Sequence, residues 1–201
     1  MSISIIVAFI TGVIGPLLLL FIKNKLEKKE EKPDMVLETL KVSELIMTKM
    51  EHIKEEFKSD RVWITQFHNG GNFYPTGKSM AKFSIIYESV APSVSSIQGN
   101  FHNIPVNLFS RSINQLLDTD LIEIPDYKDE TIATYGLKYI AEDTGCKSGY
   151  LFSIKTLDGK FIGTLGLDYT KRKTKLDIES INHLQQHSAS IGGVLMTHLN
   201  Q

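Results

Sequence analysis

From Ser2 to Ile22 the chain carries no charged residue, and the run closes on Gly-Pro-Leu-Leu-Leu-Leu-Phe-Ile. At 1.5 Å per residue a helix of that length spans about 30 Å, the thickness of a bilayer's hydrocarbon core. Nothing basic precedes the run, and bulky Leu and Phe fill its end, unlike a cleaved signal peptide. Residues 1–22 are therefore expected to be a retained transmembrane anchor. Lys23, Lys25, Lys28, Lys29 and Lys32 follow directly. The positive-inside rule then places the rest of the chain in the cytoplasm, as a single-pass protein of the inner (cytoplasmic) membrane.

Residues 23–58 read as a charged linker and a signalling-type helix. Pro33-Asp34 marks the helix start, since proline suits the first turn and Asp can cap. Val36, Thr39, Ser43, Ile46, Met50, Ile53 and Phe57 recur at three- and four-residue steps. That seam suits packing on the helix's own domain, pairing of two protomers, or both along different faces.

Residues 59–201 switch to a two-residue period. Arg61 to His68 predicts a strand, Asn69-Gly70-Gly71-Asn72 a loop, and Met80 to Val90 a second strand with Phe83, Ile85 and Tyr87 on one face. Pro105 to Leu117 and Asp129 to Asp143 read as helices, and Leu121 to Ile124 as a short strand. Two apolar runs flank Asp158-Gly159, a strong hairpin signal. A two-residue turn there would pair Ile154 with Gly163, Phe152 with Leu165 and Tyr150 with Leu167. Leu176 to Leu199 is the closing helix, capped by Asp177.

Charge and composition narrow the chemistry. A net charge of −1 gives no electrostatic footprint for nucleic acid. The single cysteine, Cys146, excludes an internal disulfide framework and a Cys-rich zinc site.

The order of elements, together with Ser148 and the run Ile162-Gly163-Thr164-Leu165-Gly166-Leu167 after the hairpin turn, resembles GAF domains over about residues 35 to 200. The resemblance implies an α/β fold of the α+β kind: a central antiparallel sheet flanked by helices, here preceded by one transmembrane helix, with a pocket on one side. It further implies terminal helices that pair in a dimer. GAF members bind cyclic nucleotides, tetrapyrroles or small metabolites, or bind nothing.

Catalysis is not expected. A GAF methionine-sulfoxide reductase works through several cysteines, and Cys146 has no second thiol to resolve it. The Asn-Lys-Phe-Asp-Glu signature of cyclic-nucleotide binders is absent, and a lone cysteine before a strand is not a bilin-attachment arrangement. Gly70-Gly71 lacks the Lys-Ser/Thr sequel of a phosphate loop. No cofactor or metal is expected. His183 and His187 stand four apart on the closing helix, where they would ligate zinc only with further ligands, so they read as surface histidines.

Two sets of binding candidates remain. His68, Asn69, Tyr74 and Lys78 crowd the segment between the first two strands, where they also suit a purely structural loop. Tyr87, Tyr127, Tyr150 and Asp168 would line the pocket face of the sheet, mixing aromatics with few polar groups. The expected function is a membrane-anchored, non-catalytic sensory module for a small molecule or partner protein. The alternative is a ligand-free interaction or scaffold protein, of a kind that suits a phage or mobile-element genome.

Overall fold

A computed structural model of the chain describes residues 3, 8, 10–26, 34–131, 141 and 143–199. It divides into two compact units, Met1–Leu37 and Glu38–Gln201.

In the first unit a π-helical turn, Ile10–Ile14, leads into α1, Gly15–Leu26, whose Leu17 to Phe21 side chains are exposed. Among the described residues no helix is long and apolar enough to cross a membrane. Much of the uncharged run before Ile10 lies outside them.

Helix α2, Met35–Glu56, starts where the Pro-Asp signal places it. Asp34 Oδ1 accepts from the Val36 and Leu37 amides at 3.0 and 3.3 Å, capping the first turn. Its seam divides lengthwise. Ile46, Met50, Ile53 and Phe57 are buried against the domain, whereas Val36, Leu37 and Leu40 are exposed. Each of the fully buried three contributes roughly 1.5–3 kcal/mol.

Strands β1 (Arg61–Phe73) and β2 (Lys78–Val90) form a long hairpin. A short β3 (Ile104–Pro105), helix α3 (Ser110–Thr119) and β4 (Leu121–Ile124) follow. Strands β5 (Ser148–Lys155) and β6 (Phe161–Tyr169) lead to the closing helix α4, Ile178–Leu199. The Ser180 amide donates to Asp177 Oδ1 at 2.8 Å, the expected cap. The helix expected over residues 129–143 lies for the most part outside the described residues. All strand pairs are antiparallel, in the order β3-β2-β1-β6-β5-β4.

The sheet separates two apolar cores. On one face α2 and α4 cover Val62, Ile64, Phe152, Ile154, Leu165 and Leu167. On the other the crossover segments cover Trp63, Phe83, Ile85, Ile122 and Leu151.

Three local features differ from the expected pattern. Asn69–Asn72 is strand rather than loop: the ladder continues to Phe73↔Lys78, with an irregularity between Asn69 and Asn72. Gly71 absorbs that irregularity at φ +103°, a value an L side chain rarely adopts. In β2 the register slips so that Ile64 pairs with Tyr87 but Thr65 with Ile85. Ile86 is the extra residue, and it turns Tyr87 to the face opposite Phe83 and Ile85. In the β5–β6 hairpin the expected pairs form from Ile154↔Gly163 to Tyr150↔Leu167. The turn itself is not the expected two-residue one. Thr156 O accepts from the Gly159 amide, Lys155 pairs with Phe161, and a bulge at Ile162 restores the register.

Candidate functional site

Odd-numbered residues of β1 and even-numbered residues of β6 face the crossover segments, because strand side chains alternate. Trp63, Thr65, Phe67, Thr164 and Asp168 therefore share one surface, joined by Phe83, Ile85 and Leu151. Ile97, Phe101, Phe109, Ser112 and Leu116 roof it, and Tyr127, Thr144 and Cys146 close one end. A cavity of about 60 Å³ lies between.

Aromatic and aliphatic side chains make up most of the wall. Its polar corner is built on Arg61, which is completely buried. Arg61 Nη1 donates to Asp168 Oδ2 at 2.9 Å, and Nη2 donates to the Ser95 carbonyl at 2.8 Å. Its Nε lies 3.4 Å from Glu88 Oε1 but makes no hydrogen bond there. Glu88 is committed elsewhere, accepting from the amides of Ile97 and Gln98 at 2.8 and 3.2 Å. Trp63 Nε1 donates to Asp168 Oδ2 at 3.0 Å. One cation thus faces two buried carboxylates.

These environments shift the titrating groups. Burial pushes the Asp168 carboxyl above the usual carboxylate range, against the pull of Arg61 and Trp63. Burial likewise pushes the Cys146 thiol up to about 12, with the Asp168 charge adding to the shift. Cys146 Sγ lies 3.4 Å from Arg61 Nη1, yet it is a neutral thiol and a poor nucleophile at physiological pH. The Tyr127 hydroxyl is raised well above its ordinary value, by burial first and by Asp168 second.

Two glycines form the floor of this end. A Cβ on Gly166 would come within 2.1 Å of the Trp63 indole, so the ring lies flat on the bare backbone. A Cβ on Gly149 would come 2.9 Å from the Tyr127 hydroxyl.

The eight binding candidates separate into three places. Tyr127 and Asp168 line the cavity. Tyr87 and Tyr150 are on the opposite face of the sheet. The Tyr87 hydroxyl lies 3.2 Å from Ser43 Oγ of α2, and the Tyr150 hydroxyl accepts from the Leu176 amide at 2.9 Å. His68, Asn69, Tyr74 and Lys78 follow the outer part of the β1–β2 hairpin. There His68 Nε2 is 2.9 Å from Ser84 Oγ, and Tyr74 is 98% exposed. Trp63 and Cys146 line the cavity unforeseen, and Arg61 stands behind Asp168. The signal for Trp63 was the alternation Trp63-x-Thr65-x-Phe67, which places the three on one face; no local signal marked Arg61.

No protein-family model matches the chain. No curated protein matches it either. Solved structures do. A far-red cyanobacteriochrome photoreceptor aligns over 92% of this chain and 99% of its own, at TM-score 0.63 and 15% identity. The phycocyanobilin-bound GAF domain of a cyanobacterial phytochrome aligns over 83% and 91%, at TM-score 0.61 and 16% identity. The blue-light absorbing form of the PixJ GAF domain from Thermosynechococcus elongatus aligns over 77% and 84%, at TM-score 0.61 and 12% identity. The fold is that of GAF domains.

The residues do not fit a covalently attached bilin. The described residues leave about 60 Å³, far below the ~300–1,000 Å³ of pockets that engulf drug-sized ligands. The chain's one cysteine is buried as a neutral thiol beside Arg61.

Proposed function

We propose that the chain is a non-catalytic sensory module of the GAF fold that takes a small, non-tetrapyrrole molecule into the cavity beneath Asp168 and Tyr127. One observation carries the reading: Asp168 and Trp63, backed by the buried Arg61, open onto a mostly apolar cavity. A folded domain gains nothing from keeping charges under an apolar roof, since a hydrophobic replacement of such a pair is commonly neutral or stabilising. A carboxyl perturbed by burial beside a specific charge partner, in a cavity, marks a candidate functional site. Space for a few water-sized groups suits a compact metabolite with an apolar body and one hydrogen-bond donor.

The uncharged run from Ser2 to Ile22 and the five lysines after it support a single-pass anchor in the cytoplasmic membrane, with the sensory unit in the cytoplasm. Helix α2 begins directly after that segment and ends in the core beneath the sheet. Occupancy of the cavity is passed along α2 to a partner protein. The exposed Val36, Leu37 and Leu40 on its first turns support pairing with a second copy.

Native mass spectrometry of the full chain released from detergent micelles tests the reading. A bound small molecule is expected, and Ser112→Phe, which fills the cavity from its roof, is expected to expel it. An empty wild-type chain that captures a protein partner equally well with Ser112→Phe would establish the scaffold alternative instead.

A further inference from the structure

On the far side of the sheet from the cavity, α2 and α4 run antiparallel. Lys49 Nζ donates to Ser190 Oγ at 3.0 Å, His52 stacks edge-on to His187, and Glu56 meets His183. Two helical pairs at four-residue spacing, His52 with Glu56 and His183 with His187, are thereby brought face to face. Spacing of this kind places both members of each pair on one helix face.

The donor atoms converge on one carboxylate oxygen. Glu56 Oε2 lies 3.5 Å from His52 Nε2 and 3.4 Å from His187 Nε2. The ligand atoms of His52, Glu56 and His187 all lie within 4.8 Å of one another. Both measured separations are long for a hydrogen bond, whose N···O distance is typically ~2.7–3.2 Å. They match the edge of a tetrahedron instead, because donors ~2.0–2.2 Å from a shared zinc ion stand roughly 3.3–3.6 Å apart. His187 Nε2 is also buried without a hydrogen-bond partner, an arrangement that costs free energy in a folded domain. On the other side of the carboxylate, His183 Nδ1 lies 2.8 Å from Glu56 Oε1, within hydrogen-bond reach. It orients Glu56 as an outer-sphere partner does.

We propose that His52, Glu56 and His187 form a site for one divalent transition-metal ion of the zinc type, with His183 fixing the carboxylate from outside. Two imidazoles and one carboxylate suit zinc and its neighbours rather than calcium or magnesium, which take oxygen ligands. Three protein ligands leave a fourth position open to water. The ion ties the C-terminal end of α2 to the middle of α4, so it fastens together the two helices that flank the sheet. Its occupancy is independent of any guest in the cavity.

The test uses the full chain, stripped with a chelator and titrated with Zn²⁺ by calorimetry, and with Co²⁺ by visible absorption. One Zn²⁺ per chain and tetrahedral Co²⁺ bands are expected. His52→Ala and His187→Ala should weaken binding by more than the roughly 10–100-fold expected of His183→Gln, and His102→Ala should leave it unchanged. His52 has 66% of its side chain exposed, so its removal leaves the fold intact, checked by melting without metal. Failure to bind one equivalent, or binding that survives His52→Ala together with His187→Ala, overturns the proposal. A loss of equal size in His102→Ala overturns it too, because binding would then be spread over surface histidines.

Discussion

Replacing Asp168 by Asn tests whether the corner of the cavity is held by charge. The substitution keeps the shape and removes the negative charge that accepts from Arg61 Nη1 at 2.9 Å and Trp63 Nε1 at 3.0 Å. Arg61 is left fully buried, facing Glu88 across 3.4 Å without a hydrogen bond on Nε. Hydrogen bonds to charged groups contribute about 1.5–3 kcal/mol each, and stranding one member of a buried pair costs about 3–5 kcal/mol. The two estimates agree, so a loss of about 3–5 kcal/mol is expected. In a chain of this size each kcal/mol lowers Tm by roughly 2–4 °C, giving a drop of about 6–20 °C. Trp63 is the only tryptophan, so fluorescence-monitored melting reads the corner directly. The double variant Arg61→Met with Asp168→Leu should recover part of the loss, since it removes the hydrogen-bonded pair and leaves Glu88 on the amides of Ile97 and Gln98. An Asp168→Asn variant that melts within about 2 °C of the parent, a change of under about 1 kcal/mol, would refute the reasoning.

Three further outcomes follow from the same geometry. Gly163→Ala brings a Cβ to 2.0 Å from the Thr65 carbonyl oxygen, where only backbone movement can relieve the clash, so chemical denaturation should show a loss of about 3 kcal/mol or more. Asp60 is pushed up by burial, yet the amides of Lys171 and Thr170 outweigh this and leave its pKa lowered. A depressed folded pKa contributes stability above the unfolded value of about 3.9 that is lost as pH falls through the folded one. Asp60→Asn should therefore lower Tm near pH 7 and flatten the acid limb below about pH 4, and an unchanged limb would exclude this role. On the proposed reading that residues 1–22 anchor the chain, deleting residues 1–32 should move the protein from the membrane pellet to the supernatant at low salt. Retention of the truncated chain in the pellet, or a full-length chain found in the supernatant, would refute the anchor.

Where local pattern and tertiary demand agree, the sequence is legible. The caps at Asp34 and Asp177, the limits of β4 and the pairing from Tyr150 to Ile154 all follow from it. Bulges defeat it, because one extra residue reverses every later side chain in a strand of period two. Ile86 does this to Tyr87. At Ile162 a bulge offsets an unexpected turn, so a correct register follows from the wrong turn and leaves Leu157 98% exposed.

The site was legible only in halves. Strand β5 is apolar on both faces, so alternation groups Tyr150 with Phe152 without saying which face meets the cavity. Tyr127 and Asp168 could be chosen as pocket residues, but Arg61 could not. Nothing local shows that an arginine at a strand start will be sealed under the segment carrying Ser95. His52 with Glu56 and His183 with His187 are each visible as helical pairs. Their meeting depends on how α2 and α4 lie across one sheet.

The bare floor at Gly166 has a consequence for adaptation. The indole of Trp63 rests directly on backbone and fills this end of the cavity, while its Nε1 ties it to Asp168. Exchanging it for a small residue would free the volume of a bicyclic ring, continuous with the cavity, while the strand pairing beneath stays intact. The volume of this cavity is thus set largely by one side chain, and a lineage can change it without rebuilding the sheet, at the cost of the bond to Asp168.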